Sequence, residues 1–152
     1  ISACLVGSEM CIRDSSWTDG SVKTGKTYYY KIKTVVKTQN GEQTSGFSNV
    51  KSAKAVPAKT TLKAKASDAK NVKLTWSKVK GASGYEIYRS NSKDGKCSKV
   101  KTISKGSTTS YKNGKLKKST TYYYKIRAYR KVNGKKVYGS YSSVVSVKTK
   151  AK

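Results

Sequence analysis

Leu116-Lys117-Lys118-Ser119-Thr120-Thr121-Tyr122-Tyr123-Tyr124-Lys125-Ile126 recurs 94 residues earlier as Val22-Lys23-Thr24-Gly25-Lys26-Thr27-Tyr28-Tyr29-Tyr30-Lys31-Ile32. The same offset carries Trp17 onto Tyr111, Gly20 onto Gly114, Phe47 onto Tyr141 and Val50 onto Val144. Asn40-Gly41 falls on Asn133-Gly134 at an offset of 93, which places a one-residue length change in that loop. A fixed period of this kind marks an internal repeat of whole structural units. The match begins at Ser15. Residues 16–55 therefore read as the C-terminal half of one unit and 57–150 as a complete unit. Lys54–Lys59, which holds the only proline at Pro57, is the linker.

Period-two patterning sets the secondary structure. Tyr122, Tyr124, Ile126 and Ala128 alternate with Tyr123, Lys125, Arg127 and Tyr129. Val72, Leu74 and Trp76 alternate with Lys73 and Thr75, and Tyr85 and Ile87 flank Glu86. Such alternation predicts antiparallel strands with one buried and one wet face. Asn133-Gly134 is a hairpin signal, because both residues tolerate positive φ. Lys78–Ser83 around Gly81 and Ser92–Lys96 around Gly95 supply further turns. No window carries a helical period. Seven short strands at this turn spacing predict an all-β, immunoglobulin-like β-sandwich over Pro57–Thr149. Its predicted core is Trp76, Tyr85, Ile87, Leu116, Tyr122, Tyr124 and Ile126. Residues 16–55 are expected to form a truncated half-unit, a three-stranded sheet with one face poorly covered.

The second unit resembles a fibronectin type III domain over its full length. The resemblance rests on Trp76 near the end of the second strand, on Leu116, Thr120 and Tyr122 before the sixth, and on Ser140-Tyr141-Ser142-Ser143 at the start of the last. Lys118 stands where the family often has proline. The resemblance implies that Tyr122 forms a tyrosine corner, its hydroxyl bonded to upstream backbone. It also implies that residues 16–55 correspond to strands E, F and G of a preceding module. The run Ala82-Ser83-Gly84-Tyr85-Glu86-Ile87-Tyr88-Arg89-Ser90 is similar to Lys- and Tyr-rich modules of large secreted or wall-attached proteins of Gram-positive bacteria. This implies a tandem spacer or interaction role outside the cell, beside neighbouring domains of a longer protein.

Charge bounds the chemistry. The 152 residues carry 34 Lys and Arg against seven Asp and Glu, and no His, for a net +27. Residues 57–152 hold 23 Lys and three Arg against Asp68, Glu86 and Asp94, a net +23. Without His, any Ser-His-Asp or Cys-His catalytic arrangement is excluded, and His-containing zinc sites with it. No paired carboxylates, phosphate-cradling Gly-rich loop or metal-ligand cluster is present. The expectation is a non-enzyme without catalytic, cofactor or metal residues. No apolar run approaches the roughly 18 residues of a membrane span, so no membrane insertion is expected. Cys97, between Lys96 and Ser98, reads as an incidental free thiol.

A +23 unit attracts polyanions by counterion release. The candidate contacts are Lys125, Arg127, Lys135 and Lys136. The candidate partners are acidic cell-wall polymers or glycans, with no specific nucleic acid and a monomeric protein. Tyr123, Tyr129 and Tyr88 are expected to lie outside with Lys125 and Arg127, as a cross-strand stabilising ladder. Glu86 is expected to make a lone surface salt bridge. Arg-Gly-Asp occurs nowhere, so integrin-type adhesion gains no support. Ile1–Ser15 holds Cys4, Cys11 and the only Met but no Lys. It resembles translated sequencing-adapter read-through, and is expected to be non-native.

Overall fold

Alternating, Tyr- and Lys-rich sequence gives twelve short strands and no helix among residues 16–152, which the computed structural model describes. The readings of Ile1–Ser15, Cys4 and Cys11 lie outside the described residues. The chain divides into two compact units after Ala55.

The first unit has strands β1 (Thr27–Tyr30), β2 (Val35–Thr38), β3 (Gly41–Thr44) and β4 (Lys51–Lys54). β1 pairs antiparallel with β4, and β2 with β3 across the Asn40-Gly41 turn, where Gly41 has φ 113°. The expected third strand is absent: 16–26 contain no strand, and Trp17 is 70% exposed. The reason lies in what the equivalent segment of the second unit pairs with. Ser110–Asn113 ladders only onto Val72–Thr75, and the first unit contains no counterpart of Val72–Thr75. With no second layer, no described residue of 16–55 is buried. Tyr29, Ile32, Phe47 and Val50 stand exposed.

The second unit comprises β5 (Leu62–Ala66), β6 (Val72–Trp76), β7 (Gly84–Ser90), β8 (Ser98–Ile103), β9 (Ser110–Asn113), β10 (Thr121–Val132), β11 (Lys135–Tyr138) and β12 (Val145–Lys148). One sheet runs β5-β6-β9. The other runs β8-β7-β10, with β11 and β12 both laddered onto β10. β11 and β12 are one strand in two segments, so the unit is a seven-stranded sandwich. Between them Ser142 keeps contact with β10: its N–H donates to the Ile126 carbonyl at 2.7 Å and its Oγ accepts from the Ile126 N–H at 3.1 Å. Asn133 and Gly134 take φ 48° and 75°, the left-handed pair a two-residue hairpin needs.

Leu62, Val72, Leu74 and Trp76 from one sheet meet Tyr85, Ile87, Tyr122, Tyr124, Ile126 and Ala128 from the other, with Leu116 and Val79 closing the ends. Burying each large side chain contributes about 1.5–3 kcal/mol. The tyrosines also place their hydroxyls. Tyr122 Oη accepts from the Lys117 N–H at 3.0 Å, Tyr85 Oη accepts from the Val79 N–H at 3.0 Å, and Tyr124 Oη donates to Asn113 Oδ1 at 2.8 Å. Burial pushes the Tyr124 hydroxyl up to about 12, so it stays a donor. The Trp76 indole N–H has no partner.

The 94-residue recurrence extends to hydrogen bonds. Lys23 N–H donates to Tyr28 Oη at 2.9 Å, Tyr30 Oη to Asp19 Oδ2 at 3.0 Å, and Ile32 N–H to Ser48 Oγ at 3.1 Å. Each has its counterpart at Lys117, Tyr124 and Ile126.

Two outcomes follow from this packing. Tyr122→Phe should destabilise the second unit by about 1–3 kcal/mol in urea unfolding, since the Lys117 N–H loses its acceptor in a largely buried corner. Amides of 27–54 should exchange with solvent much faster than those of 121–132, because a two-stranded ribbon lacks a covering layer.

Candidate functional site

The outer face of the β8-β7-β10-β11 sheet concentrates the unit's chemistry. Alternation turns Gly84, Glu86 and Tyr88 of β7 to this face, with Tyr123, Lys125, Arg127 and Tyr129 of β10. Register sets Arg127 opposite Glu86, Lys125 opposite Tyr88, and Tyr129 between Gly84 and Tyr138. A register shift in β8 brings Lys99 opposite Tyr88.

Glu86 is not a lone surface salt bridge. Its side chain is 1% exposed and fully occupied. Oε2 accepts from Tyr88 Oη at 2.8 Å and from Arg127 Nη2 at 2.9 Å and Nε at 3.3 Å. Oε1 accepts from Lys136 Nζ at 3.1 Å and Tyr138 Oη at 3.2 Å, with Lys99 Nζ at 3.7 Å. The expectation set Glu86, the sole acid of its strand, against Lys neighbours alone, whereas Arg127, two tyrosines and two lysines converge on it from its own strand and three others. Burial by itself would raise the carboxyl. The hydrogen bonds from Arg127, Tyr88 and Lys136 and the charge of Lys99 outweigh it and hold the group at about 2. A carboxylate so held has no proton to give and no free lone pair with which to take one, so it serves as an anchor rather than a general acid or base.

Arg127 is enclosed by rings, its guanidinium carbon 3.7 Å from the Tyr138 centroid, 4.9 Å from Tyr141 and 5.4 Å from Tyr88. Lys125 Nζ sits 4.5 Å from the Tyr141 centroid, and Lys31 repeats this over Phe47 at 3.9 Å. These are cation–π contacts. Tyr129 faces outward as alternation requires, yet it is buried, 1% exposed. Its ring crosses Gly84 so that Oη donates to the Ile103 carbonyl at 3.2 Å. Tyr138 lies edge-on to it at 6.2 Å, and Lys136 Nζ covers the Tyr129 ring at 4.5 Å. Only glycine fits at 84: a Cβ there would collide with the Ile103 carbonyl and the Tyr129 hydroxyl.

The four candidate polyanion contacts therefore differ. Arg127 and Lys136 are compensated by Glu86, Lys125 rests on a ring, and Lys135 is exposed at the tip of β11. Tyr138 and Lys99 escaped the sequence reading. The two-residue Asn133-Gly134 loop was a usable signal for Tyr138, since it fixes Tyr129 opposite Tyr138. Among the described residues no group of three His, Cys, Asp or Glu could hold a metal, and no helix is long and apolar enough to cross a membrane. Cys97 is a free, half-buried thiol.

Solved fibronectin type III domains are among the structures to which this chain is similar. The chicken CNTN1 FN1-FN3 domains align over 88% of this chain at 22% identity with a TM-score of 0.54. The sixth fibronectin type III domain of human fibronectin type III domain containing protein 3 aligns over 66% of this chain and 92% of its own, at 18% identity and a TM-score of 0.54. Residues 57–149 have the fibronectin type III fold. An Fn3-like protein from Clostridium thermocellum is similar to this chain at 28% identity, covering 62% of this chain and 92% of that one, with a TM-score of 0.50. The chain spans 46% of the CNTN1 structure. No family model and no curated protein matches the sequence.

In this unit Glu86 couples stability to acid. The carboxyl titrates at about 2 when folded and near 4.5 when free. Its contribution, on the order of 2–3 kcal/mol, is complete above pH 4.5 and is lost as the pH falls toward 2. Urea unfolding of the parent and of Glu86→Gln should differ most at neutral pH, and that difference should shrink by this amount on acidification.

Proposed function

We propose that the chain is a non-catalytic spacer and interaction segment of a secreted or wall-attached bacterial protein, of Gram-positive type, built from tandem fibronectin type III modules. On this reading residues 57–150 are one complete module and 16–55 the last three strand positions of its predecessor, and the protein is monomeric. The observation that carries it is the recurrence, 94 residues apart, of the same tyrosine-corner, Tyr-to-Asx and Ser-to-Ile hydrogen bonds. Identical local devices at a fixed period are what an array of equivalent beads requires. Domains of this fold are in general interaction or spacer modules, and Glu86, the one buried acid among the described residues, is locked in bonds.

A chimera tests the modular reading. Placing residues 57–109 ahead of residue 16 supplies the strands that the first unit lacks. The product should unfold cooperatively and cover Trp17, read as a blue-shifted fluorescence. A chimera that stays unfolded overturns the half-module assignment. Labelling of intact cells by antibodies against 57–152 should confirm an extracellular location, and labelling only after lysis would overturn it.

A second reading rests on the net +23 of 57–152. The module docks on acidic wall polymers or other polyanions, through contacts first sought at Lys125, Arg127, Lys135 and Lys136. Affinity should then fall steeply with salt, as it does wherever several phosphates are neutralised together. Salt-independent behaviour leaves the spacer role alone.

A further inference from the structure

The other sheet turns a different surface to solvent. Outward positions of β5, β6 and β9 are Lys63 and Lys65, Lys73 and Thr75, and Ser110 and Lys112. Register sets Lys65 opposite Lys73 and Lys73 opposite Lys112, three lysines in one row across three strands. Lys63, beside this row on β5, faces Thr75. All four lysines are exposed.

None of the four forms an ion pair among the described residues. Ion pairs among the described residues join Lys37 to Glu42, and Lys99, Arg127 and Lys136 to Glu86. None involves this row. Of the three acids of 57–152, Glu86 belongs to the opposite sheet's outer face and Asp94 to the exposed turn between β7 and β8. Asp68, in the turn between β5 and β6, is bonded to the Lys70 N–H at 2.8 Å and to Asn71 Nδ2 at 2.9 Å; it feels the charge of Lys112 at one end of the row but makes no ion pair with it. Opposed residues on neighbouring strands have Cβ atoms about 4.5–5.5 Å apart, and like charges so placed destabilise a sheet. The fold carries this repulsion twice over in one row, while on its other face Glu86 compensates Lys99, Arg127 and Lys136. A bound anion relieves the repulsion and releases counterions together.

The row also selects. These outward positions hold only Lys, Thr and Ser, so there is no ring on which a nucleobase could stack. There is no Arg to add a planar fork, and Lys binds phosphate as a point charge. The row spans about 10 Å across the strands, enough for several charges of an extended chain.

We infer that the outer face of the β5-β6-β9 sheet is a docking surface for a linear, base-free polyphosphate-type chain lying across the strands, with Lys65, Lys73 and Lys112 as its central contacts. The inference rests on the polyanion reading above and places the site on the sheet opposite to Lys125, Arg127, Lys135 and Lys136.

The test is titration of the full chain with long-chain inorganic polyphosphate across a range of salt, using two variants. Lys65→Gln/Lys73→Gln/Lys112→Gln should bind at least about tenfold more weakly at physiological salt and lower the salt slope by about 2, as expected for three lost phosphate contacts. Lys125→Gln/Lys135→Gln should stay within about threefold of the parent, since charges beyond a Debye length are screened. The triple variant should melt at or above the parent temperature, which separates a lost contact from a lost fold. Equal weakening by both variants overturns the location and leaves the polyanion reading standing. No binding by the parent overturns both. Tighter binding to single-stranded DNA or to phosphatidylglycerol vesicles than to polyphosphate overturns the chemistry assigned to the occupant.

Discussion

β10 is the strand on which both layers of the second unit depend. Its twelve residues pair with β7 along one edge and with β11 and β12 along the other. Its even positions, Tyr122 to Ala128, fill the core, and its odd positions, Tyr123 to Tyr129, build the outer face. Since side chains alternate with a period of two, a one-residue slip against β7 would exchange these sets. The slip would place Lys125 and Arg127 in the core and strand Glu86 without its guanidinium. The register is held from both sides: by Ile126 against Ile87 within the core, and by Arg127 against Glu86 outside it.

Glu86 shows how a strongly cationic unit can use a buried acid. Breaking a buried ion pair by removing one member is expensive, because the partner is left uncompensated. Here the partners are several, and they come from β7, β8, β10 and β11. The carboxylate thus gathers four strands, and the tyrosine rings around Arg127 exclude water from the same spot. Arg127 is held above its ordinary value: burial works against its charge, and the bonds to Glu86 outweigh that. The Tyr88 hydroxyl is pushed up too, by burial first and then by Glu86, so it remains a donor to the carboxylate.

Local pattern made part of this legible. The alternation around Tyr122 and around Val72 points those side chains inward without knowledge of the rest, and Asn133-Gly134 supplies the hairpin register. Three things were not legible. The depth of Glu86 depends on the packing of side chains from neighbouring strands, including Lys99, which a register shift in β8 delivers. The burial of Tyr129 depends on the absence of a side chain at Gly84, a cross-strand fact. The missing strand of the first unit depends on a partner, since a segment such as Trp17–Gly20 forms a strand only beside an equivalent of β6.

The two outer faces of the sandwich then stand in electrostatic contrast. On the β7-β10 side a carboxylate and four tyrosines absorb the cations into the structure, so those cations are held in fixed geometry. On the β5-β6-β9 side the lysines are exposed and make no ion pair among the described residues. Fixed, compensated cations stabilise a fold but offer little charge to a partner. Exposed, unpaired ones weaken the sheet slightly and dominate the field outside it. A net +23 does not distinguish these cases, because it counts Arg127 and Lys73 alike. The register of three strands does, which is why the basic surface of this module is better read from cross-strand pairing than from composition.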